Sequence, residues 1–90
     1  MAEKVVSIQV FGKVQNVGFR YHTRATALRY GIKGYVQNQI DGSVYIEAEG
    51  ESMALDLFCA WCRKGPDWAR VNRINICNLS PQGFTVFEIK

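Results

Sequence analysis

Ninety residues, of which 48% are apolar and 21% charged, can build one hydrophobic core and not two, and such a composition excludes a disordered chain. The net charge of +3 favours anionic partners, but the basic residues are scattered and no run of them forms a nucleic-acid arm. Charge alone fits a phosphorylated metabolite and an RNA equally well. No stretch approaches the roughly 20 apolar residues of a membrane span. The start, Met1-Ala2-Glu3-Lys4, has no apolar leader, and three cysteines are an odd number for a disulfide framework. The expectation is a single cytoplasmic domain, monomeric, with no membrane partner.

Taken in chain order, residues 4–11 (KVVSIQVF) predict a strand, with Val6, Ile8 and Val10 on one face and Ser7 and Gln9 on the other. Residues 12–18 have glycine at both ends and predict a loop. A helix is predicted over 19–30, its apolar positions Tyr21, Ala25 and Leu28 at helical spacing and Gly31 as its stop. Strands over 33–39 and 43–49 flank Asp41-Gly42, a strong hairpin signal. In the second of them Val44, Ile46 and Ala48 alternate with Tyr45, Glu47 and Glu49, so the glutamates are expected on a wet face. A second helix, capped by Ser52 or Glu51 and ended by Gly65-Pro66, carries Leu55, Phe58, Cys59 and Cys62 as a buried stripe. Residues 69–77 predict a fourth strand, and 84–89 either a short fifth or a continuation. The order β-α-β-β-α-β is the ferredoxin-like α+β pattern, an antiparallel sheet with two helices on one face. Fold alone does not fix function.

The chemically informative segment is Gly12-Lys13-Val14-Gln15-Asn16-Val17-Gly18-Phe19-Arg20. It joins a strand to a helix start, where unpaired amide groups and the helix dipole stabilise an anion. Glycines let the backbone approach a ligand closely. The Arg20 guanidinium can hold two oxygens of a phosphate at once. An ordinary Gly-containing turn followed by a surface arginine fits the same residues, and chemistry alone leaves both open. The segment is neither a Walker loop nor a dinucleotide fingerprint.

That segment resembles the acylphosphatase loop signature, and Gly34-Tyr35-Val36-Gln37-Asn38 resembles the family's second signature, leading into the Asp41-Gly42 hairpin. The arginine and the asparagine stand 38 − 20 = 18 positions apart, as in the family pattern. Lys64-Gly65-Pro66 and Ala69-Arg70-Val71 match further downstream. The resemblance implies a hydrolase of acyl phosphates that needs no metal, no other cofactor and no covalent intermediate. It implies that the backbone amides of Gln15, Asn16, Val17, Gly18 and Phe19 bind phosphate together with Arg20, and that Asn38 orients the attacking water. One position departs from the pattern: Asn16 stands where the family has its middle glycine. If that position takes positive φ, asparagine is the least costly non-glycine choice, and the departure bears on turnover more than on identity.

Other residues carry competing readings. Cys59-Ala60-Trp61-Cys62 could be a redox or metal half-site, but it lies late in a helix on the apolar stripe, which favours core thiols over a thiolate activated at a helix start. His22 follows Arg20 by two positions and reads either as structural or exposed, the favoured reading, or as assisting near the site. Trp61 and Trp68 read most simply as packing groups on and after the second helix, with the rim of a partner surface as the alternative for either. Single-stranded RNA binding is the rival function, since RNA-recognition motifs share this topology. It requires aromatics in a characteristic run on the central strands, and Gly42–Glu47 offers one tyrosine beside an acid. A catalytically weak binding module, of the kind found within larger carbamoyl-transfer proteins, is a third reading. The sequence names neither the acyl group nor any role for Cys77.

Overall fold

In the computed structural model, which describes residues 3–90, seven elements follow one another. They are β1 (Glu3–Lys13), α1 (Phe19–Tyr30), β2 (Lys33–Asn38), β3 (Val44–Glu51), α2 (Ser52–Lys64), β4 (Arg70–Leu79) and β5 (Phe87–Ile89). The strands form one sheet in the order β4-β1-β3-β2-β5, with both helices packed against it. β1 and β3 pair antiparallel in continuous register from Glu3↔Glu51 to Val10↔Val44. Val6, Ile8 and Val10 from β1 and Val44, Ile46 and Ala48 from β3 then fall on the face that the helices cover, as the alternation predicts. Phe58 of α2 and Phe87 of β5 meet edge to face with centroids 6.2 Å apart, within the roughly 4.5–7 Å typical of aromatic pairs. Truncating Phe58, which is completely buried, would cost roughly 3–5 kcal/mol.

Four expectations are corrected. The buried face of α1 is Phe19, Thr23 and Ala27, whereas Tyr21 and Leu28 are 68% and 55% exposed. Thr23 can enter the core because its hydroxyl donates to the Phe19 carbonyl at 2.7 Å, so no polar atom is stranded. Second, Glu49 is buried rather than wet: its carboxylate accepts the Phe84 amide at 2.8 Å. The chain must cross the sheet between the edge strands β4 and β5, and residues 80–86 cover the face that would otherwise meet water. Phe84 lies edge-on to Tyr35 in that crossing.

The end of the chain supplies the third correction. It is a separate strand, β5, one of the two forms expected; what is corrected is its pairing, parallel to β2 from Gly34↔Phe87 to Val36↔Ile89, so the sheet is mixed rather than wholly antiparallel. The fourth concerns α2. Its N-cap is Glu51, one of the two expected caps, though without a side-chain capping bond among the described residues; what is corrected is Cys59, which is only half-buried beside the buried Leu55, Phe58 and Cys62. Gly65 ends this helix as expected, its amide donating to the Trp61 carbonyl at 2.7 Å. Cys77 is exposed.

Candidate active site

The loop after β1 is shaped by what it buries. Val14 is inserted in the core and Val17 packs against it, so the backbone around them arches outward. Asn16 at φ 63° and Gly18 at φ 76° both adopt left-handed backbone. Left-handed residues within such a turn curl successive N–H groups toward one concavity. Asn16 therefore does take positive φ, a conformation that asparagine tolerates better than other non-glycine residues. Gly18 is also the N-cap of α1. It offers no side chain to cap the helix, and no acid stands in the first turn. The amides that a serine or aspartate would normally satisfy therefore have no capping side chain.

Arg20 is oriented from below. Its Nη1 donates to the main-chain oxygen of Lys90 at 2.8 Å, while the Lys90 amide donates to the Val36 carbonyl at 2.8 Å. One turn on, the Arg24 Nε donates to the Phe87 carbonyl at 3.1 Å. β5 is thus tied to α1 by two arginines and to β2 by its ladder. One guanidinium nitrogen of Arg20 is engaged, and the remaining donors of its planar fork stay available.

Asn38 is the last residue of β2, opposite Val44. The turn beyond it is closed by the Gln39 amide on the Ser43 carbonyl and the Gly42 amide on the Gln39 carbonyl. Asp41 Oδ1 accepts both the Ser43 hydroxyl at 2.6 Å and the Ser43 amide at 2.9 Å, and these bonds, the hydroxyl first, hold its carboxyl below the usual range. The loop and this hairpin are joined by one side chain: Gln15 Nε2 donates to the Gln39 carbonyl at 2.8 Å and to the Ser43 carbonyl at 2.9 Å.

These pieces converge on a pocket of about 210 Å³ lined by Val14, Asn16, Gly18, Phe19, Arg20, Tyr21, Asn38 and Ile89. Arg20, Asn38 and three of the five expected phosphate-binding positions meet there. Gln15 and Val17 do not line it; their side chains turn to the hairpin and to the core. Sequence reasoning missed Tyr21 and Ile89 as lining residues, the Lys90 support of Arg20, and the Gln15 bridge. Ile89, the Lys90 support and the Gln15 bridge depend on which strands become neighbours, and Tyr21 on which face of α1 meets the pocket.

The remaining candidates behave differently. A larger cleft of about 410 Å³ lies along α1 beneath Trp68, and neither Arg20 nor Asn38 lines it. His22 belongs to that cleft, although its ring stands within 4 Å of where a side chain at Gly18 would begin. Trp61 packs on Phe19 with centroids 5.5 Å apart, whereas Trp68 is 80% exposed. Burial pushes both Cys59 and Cys62 thiols up, the latter far up, the opposite of what a reactive thiolate needs. No helix among the described residues is long and apolar enough to cross a membrane.

A helix start without a capping side chain, an arginine and an asparagine meet at one small pocket beside the sheet of a ferredoxin-like α+β domain. Comparison with known proteins is consistent and spans nearly the whole chain. The acylphosphatase family model matches residues 6–89. An acylphosphatase of Thermotoga maritima is 47% identical over 87 residues, 97% of each chain. Among solved structures, an acylphosphatase from Coxiella burnetii superposes with a TM-score of 0.95 at 30% identity, covering 98% of this chain and 93% of that one. One from Bacillus subtilis gives 0.94 at 35% identity, covering 97% and 98%. The chain belongs to the acylphosphatase family, hydrolases that act on acid anhydrides.

Proposed function

We propose that the pocket between the 14–18 loop and Asn38 hydrolyses small acyl phosphates by in-line attack of water on phosphorus. The observation that carries this reading is the meeting of Arg20, Asn38 and the left-handed loop residues Asn16 and Gly18 on one pocket. In the proposed mechanism the amides of Gln15, Asn16, Val17, Gly18 and Phe19, with the free donors of Arg20, hold the three terminal oxygens of the phosphoryl group. The Asn38 amide holds a water on the face opposite the acyl oxygen. The new P–O bond forms as the P–O bond to the acyl oxygen breaks; one proton of the water stays on the new oxygen and the other passes to a non-bridging phosphoryl oxygen. The products are a carboxylate and inorganic phosphate.

Such a transfer consists largely of positioning and of stabilising charge on the equatorial oxygens. The leaving carboxylate is a weak base, so a neutral amide suffices to orient the water and no strong base is required. The free thiols suit a reducing compartment, and the reading places the enzyme in the cytoplasm, acting as a monomer.

The test is release of phosphate from benzoyl phosphate in the presence of EDTA. Arg20→Ala and Asn38→Ala should each lower kcat/KM by roughly 10²–10³, the scale for removing one charge-stabilising or positioning group. Full activity in Asn38→Ala would remove the water-orienting role, and full activity in Arg20→Ala would remove the phosphate site from this pocket.

A further inference from the structure

The cleft of about 410 Å³ along α1 takes no part in the hydrolysis proposed above, since neither Arg20 nor Asn38 lines it. One wall is the helix itself, where His22, Thr26, Arg29 and Tyr30 stand at the spacing of a single helical face. From His22 to Arg29 that wall runs roughly 10 Å, at about 1.5 Å of rise per residue. The other wall is the last turn of α2, with Trp61 and Lys64, and the turn that follows it. That turn presents Trp68. The Ala69 amide donates to the Pro66 carbonyl at 2.9 Å, which closes residues 66–69 and sets Asp67 and Trp68 at the tip. Just before it, an added Cβ at Gly65 would meet the Phe19 ring at 2.8 Å, so the turn is seated directly on the core. The Trp68 side chain nevertheless stays exposed.

A lone exposed apolar residue needs no explanation. Here the indole lines a cleft that also holds two permanent cations, Arg29 and Lys64, against one carboxylate, Asp67. Each cation stands in the last turn of its helix, where it offsets the helix dipole. That accounts for their sign, but not for both lining one cleft beside an exposed indole. A planar guanidinium and an ammonium suit a phosphate group. An indole on a fixed turn suits the face of a flat ring. The Asp67 carboxylate accepts from hydroxyl groups and would repel a second anion. A volume of about 410 Å³ lies within the roughly 300–1,000 Å³ of small-molecule sites.

We infer that this cleft is a second binding site, separate from the hydrolytic pocket, and that it takes a free mononucleotide. The base stacks on Trp68, the phosphate lies against the Arg29 and Lys64 cations, and the ribose hydroxyls donate to Asp67. Ring and anion must be joined in one ligand, because either alone meets only half of the lining.

The experiment is calorimetric titration of the full chain with AMP, adenosine, inorganic phosphate and a short oligoadenylate. It is run on the wild type and on Arg20→Ala, which weakens phosphate binding in the small pocket. In Arg20→Ala, AMP should bind at least about tenfold tighter than adenosine or inorganic phosphate, and as tightly as it binds the wild type. Trp68→Ala should weaken AMP by roughly five- to hundredfold, the scale of one base stacked on an aromatic side chain. Trp68→Phe, which keeps a flat ring, should recover most of that loss, a gain that damage to folding cannot imitate. Arg29→Ala and Lys64→Ala should each weaken AMP about tenfold and leave adenosine unchanged. AMP binding that is no tighter than that of its parts, that is indifferent to Trp68→Ala, or that disappears in Arg20→Ala would overturn the site. Oligoadenylate binding at least about tenfold tighter than AMP would overturn it as well, in favour of a nucleic-acid strand.

Discussion

Gln15 ties the phosphate loop to the hairpin that ends β2, and removing it tests whether Asn38 depends on that tie. In Gln15→Ala two hydrogen bonds, of 2.8 and 2.9 Å, disappear and the Gln39 and Ser43 carbonyls lose a donor. Each bond contributes about 0.5–1.5 kcal/mol net. The bonds are only partly buried, so water can replace the lost donor, and the expected loss of stability lies at the lower end, about 1–2 kcal/mol. For a domain of this length that corresponds to a Tm drop of roughly 4–16 °C.

The effect on turnover should be larger than the effect on folding. The loop and Asn38 sit on separate strands, and a displacement on the order of 1 Å can cost about 10²-fold in rate. A kcat on benzoyl phosphate reduced at least about tenfold, with little change in KM, is therefore expected. Gln15→Glu keeps the shape but puts a carboxylate against two carbonyl oxygens, and should be worse than alanine at neutral pH. The reasoning fails if Gln15→Ala melts more than 4 °C lower, confirming that the bonds are lost, yet keeps the wild-type kcat. The hairpin would then hold Asn38 without the loop.

Two further outcomes can be checked directly. Gly34→Ala should destabilise by roughly 3 kcal/mol or more, lowering Tm by at least about 12 °C in a thermal melt, because a Cβ there would collide with the Glu47 carbonyl and the backbone holds φ at +143°. Titration of phenolate absorbance should show Tyr45 ionising only near 12, pushed up first by burial and then by its hydrogen bond to Glu47, with Tyr35 also above its ordinary value. Because these folded-state values are raised, their contribution to stability is complete below the unfolded value of about 10 and is lost as pH rises from there toward the folded value. Glu47→Gln should lower the Tyr45 midpoint.

Much of this fold is local, and the local part could be read from the chain. Alternation fixed the inward faces of β1 and β3, Asp41-Gly42 placed the hairpin, and Gly31 and Gly65 marked the helix ends. Failures arose where a partner distant in sequence decides the outcome. Thr23 reads as polar until the Phe19 carbonyl is seen to satisfy it. Glu49 reads as solvated until the crossing segment brings the Phe84 amide over it. β5 is too short, at three residues, to be assigned without knowing that β2 presents an open edge. At the site, Arg20 and Asn38 were legible because their motifs are contiguous. Tyr21 was assigned to packing, since helical periodicity alone cannot tell an apolar residue facing the sheet from one facing a ligand.

Topology explains why residues so far apart in the chain share one small pocket. β1 and β2 both pair antiparallel with β3, so they run parallel to each other with β3 between them, and β5 runs parallel to β2. The C-terminal ends of all three parallel strands therefore emerge at one edge of the sheet. β1 delivers the loop and the start of α1 there, β2 delivers Asn38, and β5 delivers Ile89 and the Lys90 carbonyl. The intervening strand separates the ends of β1 and β2 by about two strand spacings, roughly 9–10 Å. That gap leaves room for a phosphoryl group between the loop and Asn38, and it is too wide for direct backbone pairing. A glutamine at position 15 is long enough to bridge it, which is why its side chain rather than a backbone ladder sets the loop against the hairpin.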